Sequence, residues 1–363
     1  MKIVNILTEG PISYNGRAFL QPIILNQHRI KEHSIEIRLY KHITHDIEEC
    51  DLLIVDSKFF GSWWLQRKQE MLDLMAKFNE YTNVIFFDTT DSAGFLLGDL
   101  LPYVKSYYKH QILKDKRHYL EPMYGRRLFS DYYHKHNKVV DSQDTEEKNI
   151  QVSGNEFLDK IKISWNTGLA NYSFAGEYLG KLYRKLHIQG LLRYPKKFTT
   201  PSPDRKIDVQ CRFNIFYAKE SVAYQRKEIA KILYKRLQTK KVNRYSFFNE
   251  LKQSKIVLSP FGLGEITLKD FEVFLTGALL MKPDMSHLET WPNFYSKKTY
   301  VSFNWNLSDL LEKIEFLLDN YSNQIEIARH GQNVYQHYVA SESGYEEFVS
   351  RFVDIIENEL IAK

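Results

Sequence analysis

Cysteine is almost missing from this 363-residue chain, which holds only Cys50 and Cys211. Two thiols, each beside a strand-like apolar segment, read as reduced core residues of a cytosolic protein and not as a disulfide framework. Long hydrophobic runs are missing too: no stretch reaches eighteen apolar residues, so no membrane-spanning helix is expected. The opening MKIVNILTEG carries one lysine, a short strand-like run and no cleavage site, which argues against a signal peptide and for a cytoplasmic protein. Internal repeats and low-complexity tracts are lacking. Charge of one sign is scarcely in excess, with 50 Lys and Arg against 45 Asp and Glu, a net +5. With no recognisable nucleic-acid module beside so mild an excess, no nucleic-acid partner is expected.

What is present is the composition of a soluble globular protein, 43% apolar and 26% charged. The length fits two domains, each able to bury a core. Lys2–Leu7, Ile35–Tyr40, Asp51–Val55 and Val84–Phe87 read as strands. Helices are expected near Phe19–Glu32, Leu65–Asn79, Leu101–Lys114 and Ala175–Leu186. This alternation argues for a mostly parallel sheet covered on both faces. Pro195, Pro201 and Pro203 fall in one polar stretch and mark a linker. The alternation then restarts with strand Val209–Phe216, helices Ser221–Leu237 and Ser246–Lys252, strands Lys255–Leu258, Ala278–Met281 and Thr299–Phe303, and helices Ser308–Leu318, Asn323–Tyr338 and Tyr345–Leu360. The expectation is an α/β protein of two doubly wound, Rossmann-like domains facing each other across a cleft. Their bounds are 1–200 and 201–345, and a terminal helix, 346–363, returns to the first domain near the hinge. Basic, tyrosine-rich runs at Lys105–His118 and Lys181–Lys197 read either as a footprint for an anionic partner or as solvated helix faces. Asp141–Asn149 reads as a charged surface loop.

The segment Ser254–Asp284 carries the most chemistry. It reads as an apolar strand, a Pro/Gly turn (Pro260–Gly264), an amphipathic helix from Thr267, a stop at Gly277 and a second strand. A Gly-rich turn opening a helix aims free N–H groups and the positive dipole end into one crevice. Strand, Gly-rich turn, Glu265, then Asp270-Phe-Glu272 and Gly277-Ala-Leu-Leu resembles the donor-sugar site of GT-B glycosyltransferases. The likeness is to the group 1, exostosin-like and CgeB-like branch of enzymes that build bacterial surface polysaccharides. It covers about Ile207 to Tyr345, and the glutamate spacing is one residue shorter than the family's usual pair.

The resemblance implies transfer of a sugar from a nucleoside-diphosphate sugar to a glycan or lipid-linked acceptor, at the inner membrane face. Glu272 would accept the ribose hydroxyls, and Glu265 would touch the sugar or only the helix dipole. No Asp-x-Asp pair is present, so no metal and no cofactor are expected. The developing diphosphate charge would then fall to the helix start at Gly264 and Thr267 and to cations, for which Arg212, Arg226 and Lys282 are the choices, with Lys227 beside them. Each also reads as an ordinary surface ion pair, Arg226 with Glu228 or Glu220 and Glu272 with Lys269. Asp91, Glu9 and Asp88 follow first-domain strands and are the candidate bases, although Asp91 equally suits a turn or N-cap. Trp165, Asn166 and His287 sit in loops expected at the cleft, where Trp165 stacks on a sugar or packs in the hinge. His134 and His136 lack a third ligand and are expected to bind nothing. Two other readings remain: a nucleotide-sugar epimerase of the same plan, and a non-catalytic CgeB-like binding protein.

Overall fold

Short apolar runs bounded by polar turns become the strands, because a strand covered on both faces needs no polar alternation. The computed structural model describes residues 1–142, 150–186, 188–234 and 242–361. Parts of two expected elements, the charged run from 143 to 149 and the helix end 235–237, lie outside them, as do 362–363. In the first domain the strands are Lys2–Leu7 (β1), Ile35–Tyr40 (β2), Leu52–Asp56 (β3), Asn83–Asp88 (β4), Ser106–Lys109 (β5) and Ile161–Ile163 (β7), with the two-residue Ile112–Leu113 (β6) set apart. The six form one sheet in the order β2-β1-β3-β4-β5-β7, every pair parallel. That order reverses between β1 and β3, and the carboxyl ends at such a switch point are where open α/β sheets bind ligands.

The second sheet holds Ile207–Gln210 (β8), Ser254–Leu258 (β9), Leu279–Pro283 (β10) and Val301–Phe303 (β12), again all parallel, in the order β12-β10-β9-β8. Its side chains alternate between two cores. Ile256, Leu258, Leu279 and Met281 join Ile229, Leu310 and Ile314 on one face. Val257 and Leu280 join Phe271 and Phe274 on the other. Both faces are covered, as expected of an α/β domain.

The second of these cores does not stop at the domain boundary. It runs on through Phe261, Phe271, Trp165 and Phe348 into the first domain. Leu288–Glu289 (β11), from the second domain, pairs antiparallel with β6 of the first. The helix Glu342–Ile361 lies against the first sheet, where Glu359 takes Tyr108 Oη at 2.8 Å and Lys162 Nζ at 2.7 Å. The linker lies against the stop of helix Leu268–Thr276. Gly277 has φ +65, and a Cβ there would sit 2.2 Å from the Thr199 carbonyl oxygen, so only glycine fits.

Five expectations are corrected. Leu101–Lys114 is no helix: Pro102 ends a short 3-10 turn, and Tyr107 and Tyr108 enter the sheet as β5, packed on Phe86 and Phe87. The basic footprint at Lys105–His118 dissolves with it, since Lys109 is buried against Asp88 while Lys105 and Lys116 hold backbone carbonyls. Strand Val209–Phe216 stops at Gln210. The first helix starts earlier than expected, at Tyr14, because Ser13 Oγ caps the Gly16 amide at 3.0 Å. Asp141, expected in a surface loop, is buried and caps the helix Glu220–Leu233 from across the boundary, taking Ser221 N at 2.7 Å and Ser221 Oγ at 2.8 Å.

Trp165 is the hub of the shared core: it stacks on Phe19 at 5.3 Å and meets Phe87, Phe348 and Phe352. Trp165→Ala is expected to cost roughly 3–5 kcal/mol and to lower both domains' stability in one transition. Chemical denaturation followed by tyrosine fluorescence and circular dichroism checks this; two separated transitions in the wild type would contradict a single core.

Candidate functional site

The carboxyl ends of the two sheets face each other, and the contact between them is close. Gly264 packs on the turn after β4, with no room for a Cβ beside the Asp91 carbonyl. Glu265, fully buried, accepts the Ala93 amide at 3.0 Å and lies 3.5 Å from Ser92 Oγ. Arg127 donates to the Leu263 carbonyl at 2.7 Å. Burial raises the Glu265 carboxyl, and the Ala93 amide opposes the shift. Glu265 therefore joins the two domains and is not free for a sugar.

The anion site expected at the helix start is occupied by the chain itself. Thr267 and Asp270 form a capping box, with Thr267 N to Asp270 Oδ2 at 3.1 Å. Asp270 further takes Ser259 Oγ at 2.5 Å, Tyr295 Oη at 2.9 Å and Lys282 Nζ at 3.2 Å, all within the core. Lys282, fully buried, thus serves Asp270 and does not face the cleft. The other expected cations are also engaged. Arg212 pairs with Glu250 through two hydrogen bonds, at 2.9 and 2.8 Å. Arg226, 7% exposed, holds the carbonyls of Phe261, Asn214 and Pro260, shaping the Pro/Gly turn. Lys227 pairs with Glu220.

Three cleft residues are corrected likewise. Trp165 packs in the core, its indole donating to the Phe19 carbonyl at 3.2 Å. Asn166, fully buried, joins Thr290 Oγ1 at 2.6 Å to Gly168 N at 2.9 Å. His287 lies edge-on to Trp305 at 4.9 Å, and burial pushes its imidazole down to about 4. His134 stacks on Tyr124 at 3.9 Å, and His136 packs on Tyr132.

Glu272 has a different setting. It is 8% exposed and meets Arg244 at 3.2 Å, and burial pushes its carboxyl up to about 7 against the pull of Arg244 and Lys269. Arg244 also reaches the carbonyls of Phe174 and Ser173 at 2.8 and 3.0 Å, so the pair bridges to the chain leaving the first domain. Lys269 turns away to the carbonyls of Arg212 and Leu258, and burial lowers it to about 8. Beside the pair lie Glu177 and Tyr14 of the first domain; burial and the Glu177 carboxylate push the Tyr14 phenol up to about 12. Tyr14 and Glu177 line, with Arg17, a cavity of about 200 Å³. This cluster of Tyr14, Arg17, Glu177, Arg244 and Glu272 is the charged seam between the domains.

No family model matches the chain, and no curated protein matches it. Among solved structures, an alpha-glucosyltransferase in complex with UDP and DNA is 12% identical, covering 96% of this chain and 99% of its own, with a TM-score of 0.43. HepE of Anabaena, in complex with UDP-glucose, is 8% identical over 98% and 100%, at 0.44. S. aureus MnaA with UDP is 10% identical over 100% and 98%, at 0.41. The expectation of no nucleic-acid partner is corrected here, since the alpha-glucosyltransferase structures include complexes with DNA.

Of the three expected bases, Asp88 is excluded. It is fully buried, ion-paired to Lys109 at 2.7 Å and bonded to Tyr107 Oη and Thr90 N; burial alone would raise it, but these partners hold it below the usual carboxylate range. Asp91 is exposed and oriented by Asn15 Nδ2 at 2.8 Å, and Glu9 is exposed at the end of β1. A carboxylate that the sequence reading missed stands closer to the crevice. Asp56 ends β3, fully buried, and accepts Thr8 Oγ1 at 2.8 Å, the Lys58 amide at 3.1 Å and Thr89 Oγ1 at 3.3 Å. The signal was available: Asp56 closes the apolar run DLLIVD as Asp88 closes NVIFFD. Burial pushes the Asp56 carboxyl up to about 6. A raised acid stabilises the fold below its unfolded value, and that contribution is lost as pH rises through the folded one. Wild type is therefore expected to lose about 3 kcal/mol between roughly pH 4 and 6 relative to Asp56→Asn. Urea melts of both proteins across that range check it; parallel pH profiles would contradict the shift.

Proposed function

We propose that this chain is a glycosyltransferase that moves a sugar from a nucleoside-diphosphate sugar to an acceptor hydroxyl, without a bound metal. One observation carries the reading: two parallel sheets turn their carboxyl ends toward each other, and a buried, proton-poised Glu272 stands at the seam with Arg244. Two substrates must meet for transfer, and a seam built from both domains is where a donor held by one side reaches an acceptor held by the other. In this reading the domain 201–345 holds the donor. Glu272 accepts its ribose hydroxyls, displacing the long Arg244 contact and freeing that guanidinium for the diphosphate. Arg244 then meets the negative charge that grows on the leaving diphosphate.

The domain 1–200 receives the acceptor, a glycan or lipid-linked molecule of surface-polysaccharide synthesis, at the cytoplasmic face of the membrane. Nucleic acid is retained as a further acceptor class. Among the described residues no helix is long and apolar enough to cross a membrane, so any membrane contact is peripheral in this reading. For an inverting course Asp91 takes the hydroxyl proton as the bond from the anomeric carbon to the diphosphate oxygen breaks; a retaining course needs no such base. A non-catalytic nucleotide-binding role is the second reading, favoured by the burial of Asp88 and Glu265 in structural contacts.

Thermal melts with UDP, GDP, CDP and ADP, each with and without EDTA, test the reading. One diphosphate is expected to stabilise the protein by about 2.7 kcal/mol at a hundredfold Kd, indifferent to EDTA. Glu272→Gln is expected to weaken that nucleotide roughly tenfold or more while leaving the fold intact. Unchanged affinity removes the ribose role, and the absence of any shift removes the donor site. Release of free nucleotide from the sugar nucleotide only when an acceptor is present separates transfer from silent binding.

A further inference from the structure

Arg17 is 5% exposed, yet no carboxylate pairs with it among the described residues. Its Nη1 reaches only the Gly176 carbonyl, at 3.2 Å, and its Nε has no hydrogen-bond partner. The rings of Tyr14 and Tyr172 lie 5.4 and 5.9 Å from the guanidinium, an attraction that leaves the N–H donors free. A buried guanidinium that is neither paired nor fully hydrogen-bonded is costly, and such a group needs an anion to complete it. The space for one is present. Arg17 lines the cavity of about 200 Å³ between the loop from Pro11 to Tyr14 and the helix Gly176–Leu186.

The rest of that lining agrees in sign. Lys181 and Arg184 stand at its mouth, and the one acid, Glu177, is already engaged by Lys181 at 2.7 Å and by the Tyr14 hydroxyl. Arg184 spends one donor on the Ile12 carbonyl at 3.0 Å and keeps the rest of its fork. Gly180 makes the arrangement possible: a Cβ there would lie 2.6 Å from Arg17 Nη1, so any larger residue would displace the guanidinium. The volume equals that of roughly seven liquid water molecules, enough for a phosphate group and part of what carries it.

We propose that this cavity binds a terminal phosphate group, with Arg17 forking onto its oxygens from below and Lys181 and Arg184 closing on it from the mouth. Guanidinium groups match phosphate oxygens in pairs, and burial strengthens the contact. The depth of Arg17 selects a chain end, because a phosphodiester within a polymer carries substituents on both sides and cannot lower an oxygen to it. The cavity lies wholly on first-domain elements and their trailing helix, so the phosphate belongs to the acceptor and not to the donor. That last assignment rests on the transfer reading above; the binding of a phosphate does not.

Calorimetric titration of the full chain with methyl phosphate, dimethyl phosphate and UDP tests this. Methyl phosphate is expected to bind at one site, dimethyl phosphate roughly tenfold more weakly, and saturating UDP is expected to leave the methyl phosphate affinity unchanged. Arg17→Gln is expected to weaken methyl phosphate by about tenfold or more, with Arg17→Lys recovering part of the loss. Should Arg17→Gln fail to fold, the double variant Lys181→Ala with Arg184→Ala, both at the mouth, is expected to weaken binding several-fold. No binding of methyl phosphate by the wild type, or equal affinity in Arg17→Gln or in the mouth variant, overturns the site. Displacement by UDP gives the cavity to the donor diphosphate, and equal binding of dimethyl phosphate gives it to a phosphodiester; either overturns the proposal. A protein that binds methyl phosphate but no nucleoside diphosphate keeps this site while losing the donor site.

Discussion

Two buried lysine–aspartate pairs hold the ends of the two sheets, and the rest of the seam depends on them. In the first domain Lys109, the last residue of β5, meets Asp88, the last residue of β4. In the second, Lys282 on β10 meets Asp270 in the first turn of the preceding helix. All four side chains are fully buried. Such pairs contribute little to stability compared with apolar residues of the same shape, but losing one partner leaves a bare buried charge. Their effect here is one of position. Each carboxylate gathers hydroxyls and amides around it, so the turns after β4 and β9 take a single shape, and those are the turns that meet across the boundary.

The elements were legible where one physical preference ruled. The run DLLIVD and the box of Thr267 with Asp270 each state a strand or a helix start locally, and both appear within a residue of their expected limits. The stretch after Pro102 was misread because its helical spacing competed with the preference of Tyr107 and Tyr108 for a sheet, and tertiary packing on Phe86 and Phe87 decided it. Ser13 was overlooked as a cap since its helix begins with Tyr-Asn-Gly-Arg, a sequence that reads as loop.

The site was less legible than the fold, for a reason that the buried lysines make plain. A charged residue near a glycine turn can meet a ligand or meet its own chain, and the residue type is the same in both cases. Arg226, Lys282 and Glu265 found partners within the protein. Glu272 kept a raised proton affinity and a long contact to Arg244, a residue that nothing in its local sequence, RYSFF, set apart. Arg17 was invisible for the opposite reason. Its distinction is a missing partner, and only the folded chain reveals which carboxylates stay away.

The short antiparallel ladder between β6 and β11 also constrains how the molecule moves. Domains joined by a linker alone swing freely, and their cleft opens at almost no cost. Here the pairing of Leu113 with Leu288, extended by the Lys114 amide on the His287 carbonyl at 2.9 Å, ties the far side of the seam to the first domain. With the linker at one side and this ladder at the other, rotation about either one strains its counterpart. Any separation of the two domains therefore has to break these backbone pairings as well as bend the linker.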